Sequence, residues 1–292
     1  MIVVTTPTGQ IGSQVVQKLL ERDSDIRVIV RDPSRLDGDV RRRVEVIAGS
    51  HDDPSVLDAA LSGADALFWL IPPNSSAPSA QEHYLSFARA GAAAVERRGV
   101  GRVVGVTSAG HGYPHQAGVL SAAFAMDEVL RSSGAAYRAL SLPFYMENVL
   151  DQLSSLEEHG VLAMTCAPDL PLASIATRDI ATVAADLLAD PTWTGQEDLP
   201  LFGPDRLTPR EMTAVLAEEL DRHVSYQHLS MDDLRAMLRS HGAQEQTISD
   251  LTSMFAAQDG GIYDEDWKIA RLGATDFRTW CREVLVPARR AL

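Results

Sequence analysis

The feature that most constrains the fold is a regular alternation of short apolar stretches with amphipathic ones along the first half of the chain. Ile2–Thr5 is a β-branched run, and Ile11–Glu21 then places apolar residues at helical spacing. The further predicted strands are Ile26–Val30, Val44–Ala48, Ala66–Ile71, Arg102–Thr107 and Tyr137–Leu142, and the further helices are Ser55–Leu61, Ala80–Arg98 and Leu120–Ser133. Apolar strands joined by helices are typical of a parallel sheet covered on both faces. The sequence therefore predicts an α/β fold with a doubly wound parallel sheet of the Rossmann type.

Charge, cysteine content and hydropathy argue against several classes of protein. With a formal net charge of −14 the chain would repel a phosphate backbone, so we expect no nucleic-acid partner. Cys166 and Cys281 lack metal-ligand spacing, and neither a disulfide framework nor a metal site is predicted. No apolar stretch approaches the roughly 20 residues that cross a bilayer, and the N-terminus has no basic leader. We expect a cytoplasmic protein without a membrane partner, and the sequence does not indicate its oligomeric state.

A glycine-containing turn between the first predicted strand and helix is the strongest functional signal. Gly9 and Gly12 follow the strand at once and open the helix. The pyrophosphate of a dinucleotide must come close to backbone N–H groups at such a helix N-terminus, and larger side chains would block that approach. The alternative is an ordinary helix start without a ligand. The position after the first strand of a βαβ series favours the cofactor site.

Arg31, at the end of the second predicted strand, indicates which dinucleotide would bind. An acidic residue at this place binds the ribose of NAD, whereas an arginine can contact the 2′-phosphate of NADP. Asp32 is the competing residue that would favour NAD. Asp32-Pro33 is also typical of a helix N-cap followed by proline, which gives Asp32 a structural use. We therefore expect NADP(H).

Several motifs together resemble one known family. They are Thr5-Thr6-Pro7-Thr8-Gly9-Gln10-Ile11-Gly12, Val30-Arg31-Asp32-Pro33, Phe144-Tyr145-Met146-Glu147-Asn148, Thr177-Arg178-Asp179-Ile180-Ala181 and Gly203-Pro204-Asp205-Arg206-Leu207-Thr208. Over nearly the whole chain they are similar to the NmrA-like group of atypical short-chain dehydrogenases/reductases. The resemblance implies an NADP-binding Rossmann domain and a small C-terminal lobe that closes over the nicotinamide. Members of the group include NADPH-dependent quinone and benzylic ether reductases, and also non-catalytic redox-sensing regulators.

The resemblance also implies which residues contact the cofactor. Ile71-Pro72-Pro73 should lie along it, and Thr107-Ser108-Ala109 should face the nicotinamide, although each stretch could be an ordinary strand end. The full predicted set is Thr6, Thr8, Gly9, Gln10, Ile11, Gly12, Arg31, Ile71, Pro72, Thr107 and Ser108.

Three residues depart from the family pattern. Thr6 replaces the first glycine of the turn, Ser50 replaces the usual aspartate near the adenine, and Ser141 replaces a common arginine. His51 and Asp52 could cover the adenine edge in place of the missing aspartate.

The standard catalytic pair of short-chain dehydrogenases, a tyrosine with a lysine four residues later, is absent. Tyr113 is followed by Ala117, and the predicted helix Leu120–Ser133 contains no lysine. Hydride transfer to a quinone or an activated enone needs no protein acid, whereas reduction of a ketone needs a donor for the developing oxyanion. The predicted catalytic candidates are Ser108, Tyr113 and His115, with His111 and Tyr145 as weaker ones. A histidine in a Gly/Pro-rich loop can equally be a solvated surface residue.

Beyond about residue 150 the pattern loosens, and we predict two domains. Residues 1–150, completed by 172–203, form the NADP-binding domain, and residues 151–171 with 204–292 form a smaller, mainly helical substrate or lid lobe. The predicted elements are helices at Asp179–Leu188 with Asp179 as its cap, from Pro209 to about Leu220, and at Met231–Ser240, Gln246–Phe255 and Thr275–Val286, with a strand at Leu199–Phe202.

A substrate pocket is predicted in the smaller lobe. Phe144, Tyr145 and Met146 should line it, which favours an apolar or aromatic small molecule. Aromatic and Met residues such as Trp69, Met254, Phe255, Tyr263 and Trp267 could add to the pocket or belong to the core. The stretch from Met254 to Tyr263, with Gly260-Gly261 as a hinge, is typical of a mobile lid or of an ordinary flexible loop.

These features predict an NADPH-dependent oxidoreductase that reduces a quinone, an enone or a related carbonyl compound. Two alternatives remain open at this point. One is a non-catalytic NADP(H) sensor that acts through a protein partner, and the other is an epimerase or cyclase that uses the cofactor without net redox change.

Overall fold

The computed structural model describes residues 1–74 and 76–290, which divide into two compact units. The first unit comprises Met1–Ser108, Val119–Ser141 and Ile180–Leu199, and the second comprises Ala109–Gly118, Leu142–Asp179 and the described residues from Pro200 onwards. These limits differ from the predicted domains of 1–150 with 172–203 and 151–171 with 204–292. The difference arises because the loop after the fifth strand and the segment after the sixth pack together in the second unit, where the Ala109 N–H donates to the Leu142 carbonyl at 2.9 Å.

The elements of both units follow the chain in a regular series. The strands are β1 (Ile2–Thr5), β2 (Ile26–Val30), β3 (Glu45–Ala48), β4 (Ala66–Trp69), β5 (Arg102–Ser108), β6 (Ala136–Leu142), β7 (Phe144–Tyr145), β8 (Val161–Met164), β9 (Leu172–Ile175), β10 (Gln196–Phe202), β11 (Arg206–Leu207), β12 (Ser225–His228) and β13 (Arg271–Leu272). The helices are α1 (Gln10–Leu20), α2 (Gly38–Arg43), α3 (Pro54–Ala60), α4 (Ala80–Arg98), α5 (Val119–Arg131), α6 (Leu153–His159), α7 (Thr177–Ala189), α8 (Pro209–Leu220), α9 (Met231–Ser240), α10 (Glu245–Asp259), α11 (Asp264–Trp267), α12 (Phe277–Trp280) and α13 (Val286–Arg289). Short 3-10 turns cover Pro33–Arg35 and Met146–Gln152, and a π-helical segment covers Cys281–Leu285.

The first unit is built on a sheet in the order β10-β6-β5-β4-β1-β2-β3. Strands β3, β2, β1, β4 and β5 pair in parallel, with Val3 opposite both Arg27 and Leu67. The order 3-2-1-4-5-6 is that of a Rossmann sheet, which binds ligands outside the carboxyl ends of its strands. The predicted fold class is confirmed.

Close packing of large side chains against glycines fixes the helices on this sheet. The Trp69 ring lies against α4, where a Cβ on Gly91 would stand only 2.8 Å from its Cζ3. Tyr137 is buried against Gly105 and donates its hydroxyl to the buried carboxylate of Asp127. Burial, with the nearby Asp127, raises the pKa of Tyr137 well above its ordinary value. Trp69 is thus a core residue of the first unit.

The second unit is mainly helical, with two small sheets that the sequence pattern did not predict. One has the order β11-β9-β7 and the other pairs β12 with β8. Strands of two to four residues carry too few positions for a period-2 pattern to stand out. The hydrophobic core of the second unit contains Met146, Leu156, Leu216 and Trp280.

Three local predictions in this unit are wrong in detail. Helix α7 begins at Thr177, so Asp179 is not its cap and instead accepts from the N–H and hydroxyl of Thr275 at 2.9 and 3.0 Å. Residues 254–259, predicted to begin a lid or a flexible loop, are the last turns of α10, because Gly260 ends the helix with an N–H bond to the Ala256 carbonyl at 3.0 Å; residues 260–263 follow as a turn, and a lid role stays a prediction. The C-terminal helix begins at Phe277 rather than Thr275, since the Asp276 carboxylate caps it at the Thr279 N–H.

Candidate functional site

The turn that follows β1 has an unusual backbone. Thr6 adopts a φ of 50°, a left-handed conformation that β-branched residues rarely take. The Gly9 N–H donates to the Thr6 carbonyl at 3.0 Å, and the first helical bond of α1 runs from the Ser13 N–H to the Gly9 carbonyl at 3.0 Å. This geometry brings the chain round so that the N-terminus of α1 stands at the carboxyl end of β1.

Gly12 and Gly9 occupy very different surroundings. A Cβ on Gly12 would stand 2.8 Å from the Thr6 carbonyl carbon and 3.2 Å from the Thr5 oxygen, so the turn itself requires a glycine there. A Cβ on Gly9 would meet only the Thr6 oxygen, at 3.4 Å, which is an ordinary contact. The protein's own packing therefore does not explain Gly9.

The start of α1 is chemically suited to an anion. Gly9 is the N-cap without a side-chain bond, and the first turn carries no acidic residue. The N–H groups of Gln10, Ile11 and Gly12 have no acceptor within residues 1–74 and 76–290. Unpaired donors at the positive end of a helix bind phosphate groups, so this site fits the diphosphate of a dinucleotide. The Ile11 side chain is buried in the core, so its contribution would come from its backbone, whereas Gln10 is exposed.

Arg31 and Asp32, at the end of β2, take different roles. The Asp32 carboxylate accepts from the Ser34 N–H at 3.0 Å and from its hydroxyl at 2.7 Å, and these bonds lower its pKa. Its use as a cap before Pro33 is confirmed. Arg31 is exposed, and its guanidinium makes no hydrogen bond or ion pair with the part of the chain that the structure describes. Arg31 is therefore available for an anionic ligand, and Asp32 is engaged.

The residues after β4 are held by a bond to β1. The Thr5 hydroxyl contacts the Phe68 and Leu70 carbonyls at 3.1 and 3.3 Å and accepts from the Leu70 N–H at 3.0 Å. Ile71 is buried in the core, which leaves its backbone for a ligand, and Pro72 is exposed. The contacts predicted for both stay predictions.

At the carboxyl end of β5, Thr107 and Ser108 are both buried. Oγ1 of Thr107 has no hydrogen-bond partner among the residues described, and Oγ1 of Thr6 at the neighbouring turn has none either. A buried hydroxyl without a partner loses its solvation, so such groups usually meet a ligand or an ordered water. This observation supports the predicted place of Thr6 and Thr107 beside the cofactor.

His51, one candidate for the adenine edge, lies after β3 in the interior. Its ring packs edge-on against Trp69 and Phe87, with centroids 5.2 and 4.7 Å apart. Burial lowers its pKa to about 4, so the ring is neutral at pH 7. Asp52 is exposed and is the more accessible of the two candidates.

The second unit carries the predicted substrate residues and two of the catalytic candidates. Phe144 and Tyr145 are half-buried in β7, whereas Met146 is fully buried in the core. Tyr113 is half-buried and His115 exposed, and their rings meet edge-on at 5.6 Å.

Glu147 belongs to one of the sequence motifs, but the sequence analysis gave it no role. In the structure it joins the segments around it by hydrogen bonds. Its carboxylate accepts from the Thr177 N–H at 3.0 and 3.1 Å, from the Thr177 hydroxyl at 2.7 Å and from the Trp280 indole at 3.1 Å. It thereby ties the segment after β7 to the start of α7 and to α12. The sequence feature that could have identified Glu147 as a structural residue is its carboxyl group among the apolar neighbours of the Phe-Tyr-Met-Glu-Asn motif.

The part of the chain that the structure describes contains neither a membrane-crossing helix nor a metal-binding cluster. None of its helices combines the length and apolar character needed to cross a membrane. No three His, Cys, Asp or Glu side chains in residues 1–74 and 76–290 come together in a way that could hold a metal ion.

Comparison with known proteins connects this geometry to a family. A family model described as NAD(P)H-binding matches residues 7–191. Quinone oxidoreductase 2 of Escherichia coli (strain K12) is 28% identical over 275 residues, which is 93% of each chain. The (4-alkanoyl-5-oxo-2,5-dihydrofuran-3-yl)methyl phosphate reductase of Streptomyces griseus is 31% identical over 242 residues, 82% of this chain and 80% of the relative.

Solved structures have the same fold. The crystal structure of an NADPH-dependent quinone oxidoreductase from Escherichia coli in complex with NADPH superimposes with a TM-score of 0.77 at 24% identity, over 95% of this chain and 97% of that one. A mutant of NmrA superimposes with a TM-score of 0.73 at 17% identity, over 99% and 97%. The family match covers more than half of the chain and contains the turn at Gly9. This chain therefore belongs to the NAD(P)H-binding family, and its resemblance to the NmrA-like atypical short-chain dehydrogenases/reductases is confirmed.

Proposed function

We propose that this chain is an NADPH-dependent oxidoreductase that reduces quinones, enones or related carbonyl compounds by direct hydride transfer. The observation that carries the proposal is the N-terminus of α1, where unpaired N–H groups and an unexplained Gly9 leave room for a diphosphate. Its relatives support the reaction class, because one is named for a quinone and the other for an acylated dihydrofuranone. Both names describe a carbonyl conjugated to a carbon–carbon double bond, which accepts a hydride readily.

The preference for NADPH over NADH rests on Arg31. Its unengaged guanidinium can bind the 2′-phosphate through two parallel hydrogen bonds, whereas Asp32 is occupied by Ser34. We expect Arg31→Asp to weaken NADPH binding at least about tenfold, which is about 1.4 kcal/mol, and to leave NADH binding nearly unchanged. Arg35→Asp makes the same charge change on an exposed neighbour and is the control. Equal weakening of both cofactors by Arg31→Asp would contradict the assignment.

The reaction does not depend on a Tyr–Lys pair. Helix α5 contains no lysine, and Tyr113 has Ala117 four residues later. When bound, NADPH supplies a hydride. The role left to the protein is to position the acceptor, exclude water and stabilise charge on the acceptor oxygen, for which Ser108, Tyr113 and His115 stay the candidates.

Stopped-flow absorbance of bound NADPH tests the proposal. Mixing with a panel of quinones and enones should bleach the nicotinamide band within seconds. The control is Gly9→Ala, which should lose binding without losing its fold. If no quinone or enone in the panel oxidised bound NADPH, and if NADP and NADPH bound with clearly different affinities, the non-catalytic sensor would be favoured instead.

Two finer expectations belong to the same proposal. The half-buried Phe144 and Tyr145 support an apolar or aromatic substrate. The cytoplasmic location stays a prediction, which cell fractionation would check.

A further inference from the structure

Thr6, between β1 and the start of α1, is the one β-branched residue with a left-handed backbone in the part of the chain that the structure describes. Its φ is 50°, and the other non-glycine residues with positive φ there are Asp23 and Asp221. Aspartate tolerates this region, whereas a branched Cβ crowds the backbone in it. Glycine would adopt the same turn without strain. The geometry of the turn therefore gives no reason for a threonine.

The hydroxyl of Thr6 adds a second unfavourable feature. Its Oγ1 is buried and has no hydrogen-bond partner among the described residues. The neighbouring Thr5 shows the ordinary case, because its buried hydroxyl contacts the Phe68 and Leu70 carbonyls and accepts from the Leu70 N–H. A buried hydroxyl without a partner has lost its hydration and gained no bond in return. Both the backbone and the side chain of Thr6 thus disfavour threonine in the protein without a ligand.

Covalent geometry keeps this hydroxyl beside the N-terminus of α1. The Thr6 carbonyl accepts from the Gly9 N–H at 3.0 Å, and a Cβ on Gly12 would stand 2.8 Å from the Thr6 carbonyl carbon. Oγ1 is two bonds from the Thr6 Cα, so it stays next to this turn in every χ1 rotamer. The N–H groups of Gln10 and Ile11, which have no acceptor among the described residues, begin the same helix. The turn and α1 both lie within the first unit.

We infer that the Thr6 hydroxyl donates a hydrogen bond to the diphosphate of bound NADP(H), and that this bond is the reason for a strained threonine in the turn. Strained backbone conformations cluster at active sites and ligand-binding segments. Phosphate oxygens accept several hydrogen bonds, so they can pair with a hydroxyl and with the N–H groups of α1 together. The inference rests on the proposed function and adds a side-chain contact to the backbone contacts of its cofactor site.

Replacement by valine separates the hydroxyl of Thr6 from its shape. Thr6→Val should weaken NADP⁺ binding at least about tenfold, because a phosphate oxygen loses a charge-assisted donor. Its urea midpoint without ligand should stay the same or rise, since an unpartnered buried hydroxyl is removed. Thr6→Ser keeps the hydroxyl and should bind NADP⁺ within about threefold of wild type. Thr6→Gly should bind as weakly as Thr6→Val.

Thr5→Val is the matched control, because it makes the same substitution one residue earlier. It removes a hydroxyl that has internal partners, so the Leu70 N–H loses its acceptor and the urea midpoint should fall. If the Thr6 hydroxyl had only a structural role, Thr6→Val would lower the midpoint in the same way. A fall of that kind, with NADP⁺ affinity unchanged, would overturn the inference.

Two ligands locate the contact within the cofactor. NADP⁺ carries the diphosphate, whereas 2′-AMP carries the adenosine and its 2′-phosphate without it. Calorimetry with NADP⁺ and ³¹P NMR titration with 2′-AMP should show that Thr6→Val weakens the first and leaves the second within about twofold of wild type. In ³¹P spectra of bound NADP⁺, the diphosphate signals should shift in Thr6→Val while the 2′-phosphate signal stays.

The outcomes separate this inference from the proposed function. If the wild type binds NADP⁺ but reduces no acceptor, the oxidoreductase proposal fails, and the binding measurements decide the role of Thr6 by themselves. If the wild type is active while Thr6→Val binds NADP⁺ like wild type, the inference is overturned and the proposed function stands. Equal weakening of NADP⁺ and 2′-AMP would also overturn it, because the hydroxyl would then contact the adenosine part.

Discussion

Two glycine-to-alanine substitutions in the turn before α1 should separate a structural glycine from a ligand-binding one. In Gly12→Ala the new methyl would stand 2.8 Å from the Thr6 carbonyl carbon, and backbone atoms cannot move aside as a flexible side chain can. Overpacking of this kind costs about 1–3 kcal/mol, offset by less than about 1 kcal/mol of gained helix propensity. We expect a net loss near 2 kcal/mol, or a melting temperature lower by about 4–8 °C.

Gly9→Ala should have the opposite profile. The methyl would stand 3.4 Å from the Thr6 oxygen, and the backbone at φ −86° and ψ 170° suits alanine. Alanine is a poorer N-cap than glycine by about 0.5–1 kcal/mol. This loss is offset because alanine lowers the conformational entropy of the unfolded chain, which stabilises the folded state by a similar amount. Stability should therefore stay within about 0.5 kcal/mol of wild type. The methyl enters the space in front of the free N–H groups, and we expect NADPH to bind at least about tenfold more weakly.

Isothermal titration calorimetry with NADPH and thermal unfolding without ligand measure the two effects. The decisive variant is Gly9→Ala, because its affinity should fall while its stability does not. Wild-type NADPH affinity in Gly9→Ala would refute the assignment of a diphosphate to this helix terminus. A large loss of stability in the same variant would show that internal packing had been misjudged.

Three further predictions follow from buried groups. Thr6→Gly should raise the free energy of unfolding by about 1 kcal/mol, because the φ of 50° and the unpartnered hydroxyl both disfavour threonine there; urea titration checks this, and an unchanged midpoint would contradict it. Burial lowers the pKa of His51 from 6.5 to about 4 in the folded state, so the unfolded state takes up a proton first as pH falls. The contribution of the neutral His51 ring to the free energy of unfolding is therefore full above pH 6.5 and is lost as the pH falls towards 4. In His51→Gln the free energy of unfolding should therefore fall less steeply over that range, by at most about 1.4 kcal/mol per pH unit. The nearby Asp52, Arg31 and His83 are unchanged in this variant. If wild type and variant gave parallel curves of unfolding free energy against pH, the effect would be disproved. Glu147→Gln should cost about 2–4 kcal/mol, because the amide keeps only one acceptor for the donors of Thr177 and Trp280; a thermal shift near zero would show that those bonds contribute little.

Much of the first unit could be predicted from the sequence because each local signal agreed with the next. Helix α4 ends at Gly99, whose left-handed backbone closes the helix, and the long apolar spacing before it needs no tertiary information. Asp32-Pro33 likewise forms the cap that its residue types favour, and so does Thr208-Pro209 in the second unit, with a reciprocal bond to Glu211. Such features depend on neighbours within four residues, which a single sequence contains.

The parts that could not be predicted depend on partners distant in the chain. Asp179 looks like a cap by residue type, but its carboxylate meets Thr275, nearly a hundred residues later. Gly260-Gly261 looks like a hinge, yet the first of the pair ends a helix, where its N–H bonds to the Ala256 carbonyl. Asp266 stands in the acidic run Asp264-Glu265-Asp266, where no local pattern distinguishes the carboxylate that binds Gly110.

The glycines themselves show how a ligand can be inferred from packing alone. At Gly12, Gly110 and Gly118 the nearest atoms to a hypothetical Cβ are backbone or core atoms of the protein, so the fold accounts for the absence of a side chain. At Gly260 a Cβ would stand 3.0 Å from the Tyr113 hydroxyl and 3.2 Å from the Ala256 carbonyl oxygen, which are both groups of the protein itself. At Gly9 neither explanation applies, because the backbone is ordinary and the neighbour is at contact distance. A glycine that the protein does not need for its own packing, placed before unpaired N–H groups, is most simply explained by what has to approach it from outside.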